Sequence, residues 1–371
     1  MKRIAVMGIR HGWKFADILS HRSEEVGGVL AALNSRTILD HTPPNVPEPA
    51  IAAAVPLFND FYRMLDELDG KLDGVIAAVP TYMHKEVILA AAQRGIPLLM
   101  EKPMVHSVAE GVEVEDILRR YNFEKKLTIG HHRRFSPIIN TVREIIQGGE
   151  IGRVLGANLL YATRKDNGYF QPPRDWHIRP GAGGPILTNA SHDIDALQYI
   201  MGEEIVSVQA YSDNQARGNS VEDTAACIFR LTGGAIVSYF ITDGSPADMY
   251  YDGCAKEDPY FHPCDNDCYF FFGDRGSLSV PSMTIKFHDG TIESGWIAPL
   301  KSKQYPVRRE DPITGEIRHF CRMVGGEVGP KVSASDAIAT LQVLDAIKLS
   351  AEVGRQVTIN YKKNLERMLF I

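Results

Sequence analysis

The chain has 371 residues, of which 44% are hydrophobic and 23% are charged, and its formal net charge is −6 at pH 7. This ordinary globular composition excludes a disordered, collagen-like or coiled-coil chain, and its charge gives no indication of nucleic-acid or membrane-surface binding. Five cysteines form a sparse and odd set, so a disulfide framework is not expected and a reducing compartment fits.

The N-terminus has the pattern of a buried strand rather than of a targeting segment. Its apolar run ends at Gly8 and is followed by Arg10 and His11, so it is shorter than the ~7–15 apolar residues of a secretory signal. Elsewhere no apolar run approaches the ~18–20 residues that span a bilayer. We therefore expect a cytoplasmic protein, and its length favours two domains.

Residues 1–130 alternate short apolar runs with helical stretches. The predicted strands are residues 4–7, 26–33, 74–79, 97–100 and 127–130. The predicted helices are residues 13–20, 60–68, 84–94 and 108–121. A proline-rich stretch over residues 43–56 is predicted as a surface loop. Continuous apolar strands that alternate with helices predict βαβ units and a parallel sheet covered on both faces.

Beyond residue 150 the pattern changes, because apolar runs follow one another without helices between them. The predicted strands are residues 154–163, 205–211, 224–231, 235–242, 277–280, 285–288 and 292–296, the last two joined by a turn at Asp289-Gly290. One sheet in an α+β second domain is the simplest interpretation. A late amphipathic helix is predicted over residues 336–353.

A dinucleotide-binding turn is expected between the first strand and the first helix, where Gly8 lies. The G-x-G-x-x-G fingerprint is incomplete. The chain reads Gly8-Ile9-Arg10-His11-Gly12, so only the first glycine is in place, and Gly12 lies one position before the place of the third. An ordinary βα turn is the alternative. A helix N-terminus still offers free N–H donors and a positive dipole end to a pyrophosphate, and Arg10 adds charge.

The tip of the second predicted strand bears on the choice of cofactor. It reads Asn34-Ser35-Arg36 and carries no acidic residue for a ribose 2′-hydroxyl. A hydroxyl and a planar guanidinium suit a 2′-phosphate instead. We therefore expect NAD or NADP with a preference for NADP, the alternative being that Arg36 is a solvated loop charge.

Several motifs carry a stronger signal because they occur together in a fixed order. They include Pro80 and His84 after a strand and an intact Glu101-Lys102-Pro103. The motif-bearing segments are residues 73–84, 95–103, 130–137, 149–154, 174–176, 181–195 and 350–357. Together they resemble the glucose–fructose oxidoreductase/inositol dehydrogenase/MocA family of NAD(P)-dependent oxidoreductases. The resemblance covers nearly the whole chain and is least supported around residues 244–270.

The resemblance implies a domain organisation and an assembly. We expect a Rossmann-like domain over residues 1–128 and an α+β domain with a large, mostly antiparallel sheet over residues 129–331. A C-terminal helix and tail over residues 332–371 would pack back on the first domain. In that family one sheet face borders the substrate and the other often forms the oligomer interface. We therefore expect a homodimer or homotetramer with a small sugar-like substrate, and no nucleic-acid or membrane partner.

Oxidation of a secondary alcohol needs a general base and a positive charge beside the developing alkoxide. Lys102 follows a predicted strand at the carboxyl end of the parallel sheet, where ligands bind. His192 lies near a helix start, with Asn189 and Asp195 three residues away on the same face. Asp195 could orient the imidazole, while Asp193 points elsewhere. The resemblance implies catalytic roles for Lys102 and His192; a surface lysine and a structural histidine are the alternatives.

The residue patterns and the resemblance together predict two sets of ligand-binding residues. The cofactor set is Gly8, Arg10, His11, Gly12, Asn34, Ser35, Arg36, Pro80, Thr81, His84, Glu101 and Lys102. The substrate set is Lys102, Tyr161, Arg174, Trp176, His177, Arg179, Asn189 and His192. For the segment around Trp176, a loop stabilised by its tryptophan is the alternative.

One departure from the family pattern affects the chemistry. Much of the family has an aspartate four residues before the histidine, where this chain has Thr188. Acid–base work would therefore rest more heavily on His192 and Lys102. The departure also leaves open an unusual substrate or a loss of turnover.

Residues 244–272 combine many aromatic side chains with Cys254, Cys264 and Cys268. The cysteines and His262 lack the regular close pairs of a tetrahedral zinc site, so no metal is expected. We predict a long loop that covers the substrate mouth or forms a subunit contact.

The function expected from the sequence is hydride transfer between a nicotinamide cofactor and a secondary hydroxyl of a sugar, sugar acid, polyol or cyclitol. One alternative is a dihydrodiol dehydrogenase or ring reductase on the same fold. Another is a non-catalytic NAD(P)-sensing regulator, which the incomplete glycine turn favours and the intact Lys102 and His192 disfavour.

Overall fold

The computed structural model describes residues 1–35, 51–52, 54–172, 174–290, 295–360 and 369–370. The chain forms two compact units: the first comprises Met1–Phe135 and Pro312–Ile338, and the second comprises Ser136–Asp311 and Ala339–Ile371. The predicted first domain, residues 1–128, lies within the first unit. The chain re-enters that unit at Pro312, ahead of the C-terminal segment predicted from residue 332.

A parallel sheet organises the first unit. Its strands are β1 (Lys2–Met7), β2 (Gly28–Asn34), β3 (Leu57–Phe58), β4 (Gly74–Ala77), β5 (Leu98–Met100) and β6 (Leu127–Ile129). They lie in the order β3-β2-β1-β4-β5-β6, and all their pairings are parallel. The chain order reverses between β1 and β4, and open α/β sheets bind ligands at the carboxyl ends of the strands beside such a reversal.

Helices follow the strands of this sheet, as the alternating sequence pattern predicts. They are α1 (Trp13–His21), α2 (Ser23–Val26), α3 (Phe61–Glu67), α4 (His84–Arg94) and α5 (Val108–Tyr121). Phe15 and Leu19 on α1 are fully buried against Ile4 and Val6 of β1 in the core of the unit. Burial of each such side chain stabilises the fold by about 1.5–3 kcal/mol.

A large sheet organises the second unit. Its strands are β7 (Val154–Arg164), β8 (Ile205–Asp213), β9 (Thr224–Leu231), β10 (Ile236–Thr242), β11 (Gly244–Met249), β12 (Tyr269–Gly273), β13 (Gly276–Val280), β14 (Thr284–Phe287), β15 (Lys301–Gln304), β16 (Val357–Ile359) and β17 (Leu369–Phe370). The order is β15-β14-β13-β12-β7-β10-β9-β8-β16-β17, with β11 also paired to β7. Among the described strands of this second sheet, only β7 and β10 pair in parallel. The predicted α+β unit with a mostly antiparallel sheet is confirmed.

The helices α6 (Pro137–Gln147), α7 (Ser191–Met201) and α8 (Tyr251–Ala255) also belong to the second unit. Ser136 caps α6, because its hydroxyl accepts from the N–H of Ile139, 3.1 Å away, and Pro137 occupies the first helical position. The guanidinium of Arg143 on α6 lies 4.7 Å from the ring centroid of Tyr199 on α7. This contact joins the two helices.

The late part of the chain contains α9 (Pro312–Val324) and α10 (Ala334–Val353). Ile317 and Phe320 of α9 are fully buried in the core of the first unit. The chain therefore returns to the first unit through α9, a helix the sequence analysis did not predict. Among the described residues no helix combines the length and apolar character needed to cross a bilayer.

One sequence prediction in the second unit was wrong, and another lies largely outside the described residues. Residues 244–272 are not a long loop, because they contain β11, α8 and the first part of β12. Tyr269 and Phe271 of β12 are fully buried, since the aromatic run alternates between the core and the outer face. The predicted strand at 292–296 lies largely outside the described residues, and its described end, Gly295-Trp296, is a turn. The strand that pairs with β14 is β15.

Candidate active site

The predicted site residues fall in both units, and each set is described within its own unit. In the first unit, two glycines shape the turn after β1. Gly8 has φ +83°, and a Cβ there would lie 2.2 Å from the carbonyl oxygen of Ala78. A Cβ on Gly12 would lie 1.8 Å from the carbonyl oxygen of Gly8. Neither position has room for a side chain. Gly12, although one position early, therefore still allows the close approach that a dinucleotide-binding turn requires.

The same turn leaves the start of α1 accessible to an anion. Gly12 is the N-cap residue, no side chain caps the helix, and its first turn carries no acidic residue. The unsatisfied N–H groups and the positive dipole end of a helix bind phosphate oxygens. Arg10 and His11 are exposed beside this turn. These features fit the pyrophosphate of a dinucleotide.

Glu101 and His11, both predicted to bind the cofactor, contact each other. His11 Nε2 lies 3.0 Å from Glu101 Oε1, and the Glu101 carboxylate is largely buried. Burial opposes ionisation, but the charge and hydrogen bond of His11, with Lys102 and His132 nearby, lower the pKa of Glu101 to about 2. Glu101 is therefore an anion that joins the end of β5 to the turn after β1.

Lys102 follows Glu101 at the carboxyl edge of the sheet, as predicted. Its side chain is half-buried, and its backbone N–H donates to Glu101 Oε2 over 3.0 Å. The peptide bond to Pro103 is cis. Pro80 and Thr81 follow β4 at the same edge, with Thr81 beginning a short 3₁₀ turn. The loops after β1, β4 and β5 thus carry many of the predicted cofactor residues, and the end of β2 carries others.

His84, which is predicted to contact the cofactor, lies between backbone carbonyl groups. Its ring is fully buried, with Nε2 2.9 Å from the carbonyl oxygen of Val79 and Nδ1 2.9 Å from that of Pro103. Burial lowers the pKa of His84. Because its two nitrogens face carbonyl oxygens of both loops, His84 packs between the loops after β4 and β5, and its predicted cofactor contact stays a prediction.

The tip of β2 is only partly described, since Arg36 lies outside the described residues. The Asn34 side chain is buried, and its Nδ2 donates to the carbonyl oxygen of Phe58 over 3.1 Å. Its amide nitrogen therefore holds β3 against β2, which removes it from the predicted cofactor contacts. Ser35, directly after β2, is half-buried.

In the second unit, His192 and Asn189 lie where a π-helical turn, Ile186–Ala190, runs into α7. Such turns are rare and occur often at functional sites. The N–H of Ile186 donates to Glu222 Oε1 over 3.0 Å, and Gly184 has φ +86°, with a hypothetical Cβ 2.3 Å from the same oxygen. Glu222 therefore fixes the start of the turn, and both Asn189 and His192 are half-buried.

Asp193 points away from this site, as predicted, and anchors α7 to the sheet. Its Oδ2 accepts from the hydroxyl of Tyr239 on β10 over 2.7 Å, and its Oδ1 accepts from the hydroxyl of Tyr269 on β12. All three side chains are buried. Asp195 is also fully buried, and its predicted action on the His192 ring stays a prediction.

The predicted substrate segment around Trp176 is packed on itself. His177 is buried; its Nδ1 lies 2.8 Å from the carbonyl oxygen of Arg174, and its Nε2 lies 2.8 Å from the hydroxyl of Tyr169. The Trp176 ring stacks on His177 with centroids 3.6 Å apart. His177 therefore supports the loop, and its predicted substrate contact stays a prediction.

The remaining predicted substrate residues differ in exposure. Arg174 and Arg179 are exposed, and Arg179 pairs with Asp175. Tyr161 is buried, and that burial raises its pKa well above the ordinary value. Tyr161 is therefore enclosed within the unit, and this burial gives no support to its predicted substrate contact.

Sequence analysis missed Lys165, which follows β7 directly. Its Nζ donates to Asn189 Oδ1 over 2.6 Å and lies 3.2 Å from Asp243 Oδ2. Lysine is rarely buried, and the only signal in the sequence was its place at a strand end. The contact joins residues far apart in the chain, so no local pattern reveals it.

The fold and the glycine turn define a dinucleotide-binding class of protein, and two family models match consecutive parts of the chain. Residues 2–131 match the GFO/IDH/MocA model described as an oxidoreductase family with an NAD-binding Rossmann fold. Residues 139–279 match the GFO/IDH/MocA C-terminal domain. The chain belongs to the GFO/IDH/MocA family of NAD-binding oxidoreductases. The predicted resemblance and the predicted oxidoreductase class are confirmed.

Individual relatives are distant but cover most of the chain. The uncharacterised oxidoreductase YrbE of Bacillus subtilis (strain 168) is 25% identical over 83% of this chain and 83% of its own length. Inositol 2-dehydrogenase of Rhizobium meliloti (strain 1021) is 26% identical over 80% of this chain and 84% of its own. An Agrobacterium radiobacter oxidoreductase, solved with NAD+, L-tartaric acid and magnesium, has a TM-score of 0.74 at 15% identity, covering 96% of this chain and 98% of that one. This last likeness shows the fold.

Proposed function

We propose that the chain transfers a hydride between a nicotinamide cofactor and a secondary hydroxyl of a sugar, sugar acid, polyol or cyclitol. The observation that carries the proposal is the glycine turn beside the strand-order reversal, in a chain of an NAD-binding oxidoreductase family. The similarity to an inositol 2-dehydrogenase supports a cyclitol or polyol as the substrate class. When bound, the nicotinamide accepts or supplies the hydride.

The proposal assigns separate tasks to the residues of the chain. The start of α1 would bind the pyrophosphate through its free N–H groups, and Glu101 would fix His11 beside it. Lys102 would stabilise negative charge on the substrate oxygen, and His192 would take or return the hydroxyl proton. Asn189 would bind a substrate oxygen, while Thr188 in place of the family aspartate leaves acid–base work to Lys102 and His192.

The proposal is tested by turnover on a panel of inositols, polyols, aldoses and sugar acids with each nicotinamide cofactor, followed by absorbance at 340 nm. Oxidation of at least one panel member is expected. Cofactor binding measured by calorimetry without turnover of any panel member would contradict the proposal. That outcome would favour the cofactor-sensing alternative.

We also propose that the cofactor site accepts NADP and prefers it to NAD. Support comes from Ser35 and Arg36, which follow the last residue of β2 in the sequence, and from the lack of an acidic residue among residues 34–36. Replacement of Arg36 by alanine should raise KM for NADP and leave KM for NAD nearly unchanged. A wild-type protein with a lower KM for NAD would contradict the preference.

A homo-oligomer formed through the second-unit sheet is proposed from an apolar stripe on the outer face. Ile236 on β10 and Phe272 on β12 are each about half exposed and both lie opposite Gly156 of β7. Phe240 of β10 and Tyr211 of β8 are exposed and both lie opposite Ala226 of β9. A contiguous apolar surface of this kind marks an interaction site, and a second copy would cover it.

The oligomer proposal is tested by light scattering of the purified protein. A dimer or tetramer is expected, and Ile236→Glu with Phe272→Glu should reduce its size. A monomeric wild-type protein would contradict it. We propose a cytoplasmic location as well, which is supported by five cysteines that are all buried and form no disulfide.

A further inference from the structure

Lys165 is almost fully enclosed in the second unit, with a side chain that is 12% exposed. Its Nζ lies 2.6 Å from Asn189 Oδ1, 3.2 Å from Asp243 Oδ2 and 4.7 Å from the ring centroid of Tyr169. An ammonium group has three donors and no acceptor, so these contacts account for its bonding capacity.

The ammonium determines which end of the Asn189 amide faces it. A lysine donor can meet only an acceptor, so the amide oxygen must point to Lys165 and the amide nitrogen must point elsewhere. The hydroxyl of Thr188 lies 2.9 Å from the same oxygen but also 2.9 Å from the carbonyl oxygen of Gly184. A hydroxyl has one hydrogen, so Thr188 alone does not fix the amide. No described residue accepts a hydrogen bond from Asn189 Nδ2.

The position of Lys165 is itself fixed by a second buried cation. Arg217 Nη1 pairs with Asp243 Oδ1, which leaves the other carboxylate oxygen to Lys165. The Arg217 guanidinium also lies 4.4 Å from the ring centroid of Phe170. Removal of one partner from such a buried arrangement costs free energy of folding. The Lys165 ammonium is therefore held in hydrogen-bond contact with Asn189 Oδ1.

We propose that Lys165 is a positioning residue that holds Asn189 with its amide nitrogen as the donor to a substrate oxygen. Asn189 lies three residues before His192, where the π-helical turn runs into α7. The site would therefore select substrates with a second oxygen, a hydroxyl or carbonyl, that accepts a hydrogen bond next to the reacting carbon. This inference rests on the proposed function and adds the origin of its specificity.

The test compares Lys165→Met, Asn189→Ala and their double variant on the best panel substrate. Lys165→Met should raise KM about tenfold, the effect of one lost hydrogen bond, with little change in kcat. The double variant should be no worse than Asn189→Ala alone, because Lys165 acts through Asn189. Additive effects of the two substitutions would overturn the proposal.

Lys303→Met is the matched control. Lys303 Nζ also contacts a carboxylate, Glu150 at 2.9 Å, and a tyrosine ring, Tyr305 at 4.4 Å, but it lies on β15 at the sheet edge. Lys303→Met should leave KM unchanged. Asn189→Asp covers a failure of Lys165→Met to fold, since it keeps the acceptor for Lys165 and loses only the donor. An unchanged KM in Asn189→Asp would overturn the proposal.

A crystal structure of Lys165→Met separates this proposal from the proposed function. A rotated Asn189 side chain would support the positioning role even if no panel member is oxidised. An Asn189 side chain in the wild-type orientation would overturn it, whatever the activity. Failure of the wild-type protein to oxidise any panel member would contradict only the proposed function.

Discussion

The two units position their predicted ligand-binding residues in different ways. In the first unit the cofactor turn is made by backbone, and its defining residues, Gly8 and Gly12, act by having no side chain. In the second unit the predicted substrate residues are held in place by contacts between side chains, such as Asp193, which anchors the helix between two tyrosines, and Lys165, which contacts Asn189. A site made by backbone is disrupted when a substitution adds side-chain volume. A site made by side chains is disrupted when a substitution removes a hydrogen-bonding or ionic partner.

Two buried carboxyl groups show the same contrast. In the first unit, burial of Glu101 is outweighed by the histidine and lysine charges around it, and its pKa falls to about 2. In the second unit, burial dominates at Glu257, whose neighbours Ser136 and Tyr251 are neutral, and its pKa rises to about 7. One carboxyl group is therefore kept as an anion and the other is kept protonated below neutral pH.

The largest expected effects test whether both units contribute to one reaction. Lys102→Ala in the first unit and His192→Ala in the second should each lower kcat by about 10²–10⁴, since each removes a group proposed to assist proton transfer. Steady-state kinetics on the best substrate measures this. Lys85→Ala on α4 and His21→Ala on α1 are exposed controls and should retain activity. Normal kcat in either test variant would refute its assigned role.

The next effect tests the backbone character of the cofactor turn. Gly8→Ala should weaken nicotinamide dinucleotide binding by about a hundredfold or more, because the added Cβ would displace the loop after β4. Gly70→Ala is a matched control, since Gly70 also has a positive φ, +67°, but an added Cβ meets nothing within 4 Å. Calorimetric titration measures both. Equal affinity losses in the two variants would show that backbone strain, rather than the clash, is responsible.

The sequence predicted the first unit more completely than the second, for a physical reason. Helices α4 and α5 have the predicted bounds, because glycine at 95 and serine at 107 mark their ends locally. Strand β15 escaped prediction, since all four of its side chains are exposed and polar and carry no apolar period. Helix α9 escaped because its partners lie in the first part of the chain.

The site residues show the same difference between local signals and contacts that form only in the folded chain. Gly8, Lys102 and Asn189 could be found from strand ends and motifs, which are local signals. The internal hydrogen bonds of His84 and His177 could not, because they depend on carbonyl or hydroxyl groups that only the folded chain brings near. Lys165 was missed for the same reason, since its partner is 24 residues away in sequence.

The smallest effect sharpens the contrast between the two buried carboxyl groups. The contribution of Glu257 to the free energy of unfolding should fall as pH rises from about 4.5 to about 7, because its carboxyl ionises in the unfolded chain while it stays protonated in the folded one. A shift of this size corresponds to about 3 kcal/mol. Below pH 4.5 the contribution is fully present, and above pH 7 it is lost.

Glu257→Gln should remove this contribution, since an amide does not ionise in that range, so the difference in free energy of unfolding between wild type and variant should change with pH. Urea unfolding of wild type and variant at pH 4.5, 5.5, 6.5 and 7.5, followed by far-UV circular dichroism, measures it. Glu144→Gln on the exposed side of α6 is the control and should keep the wild-type slope. A constant difference between wild type and Glu257→Gln across these pH values would mean that Glu257 is ionised in the fold. The contrast with Glu101 would then be lost, because both carboxyl groups would be buried anions.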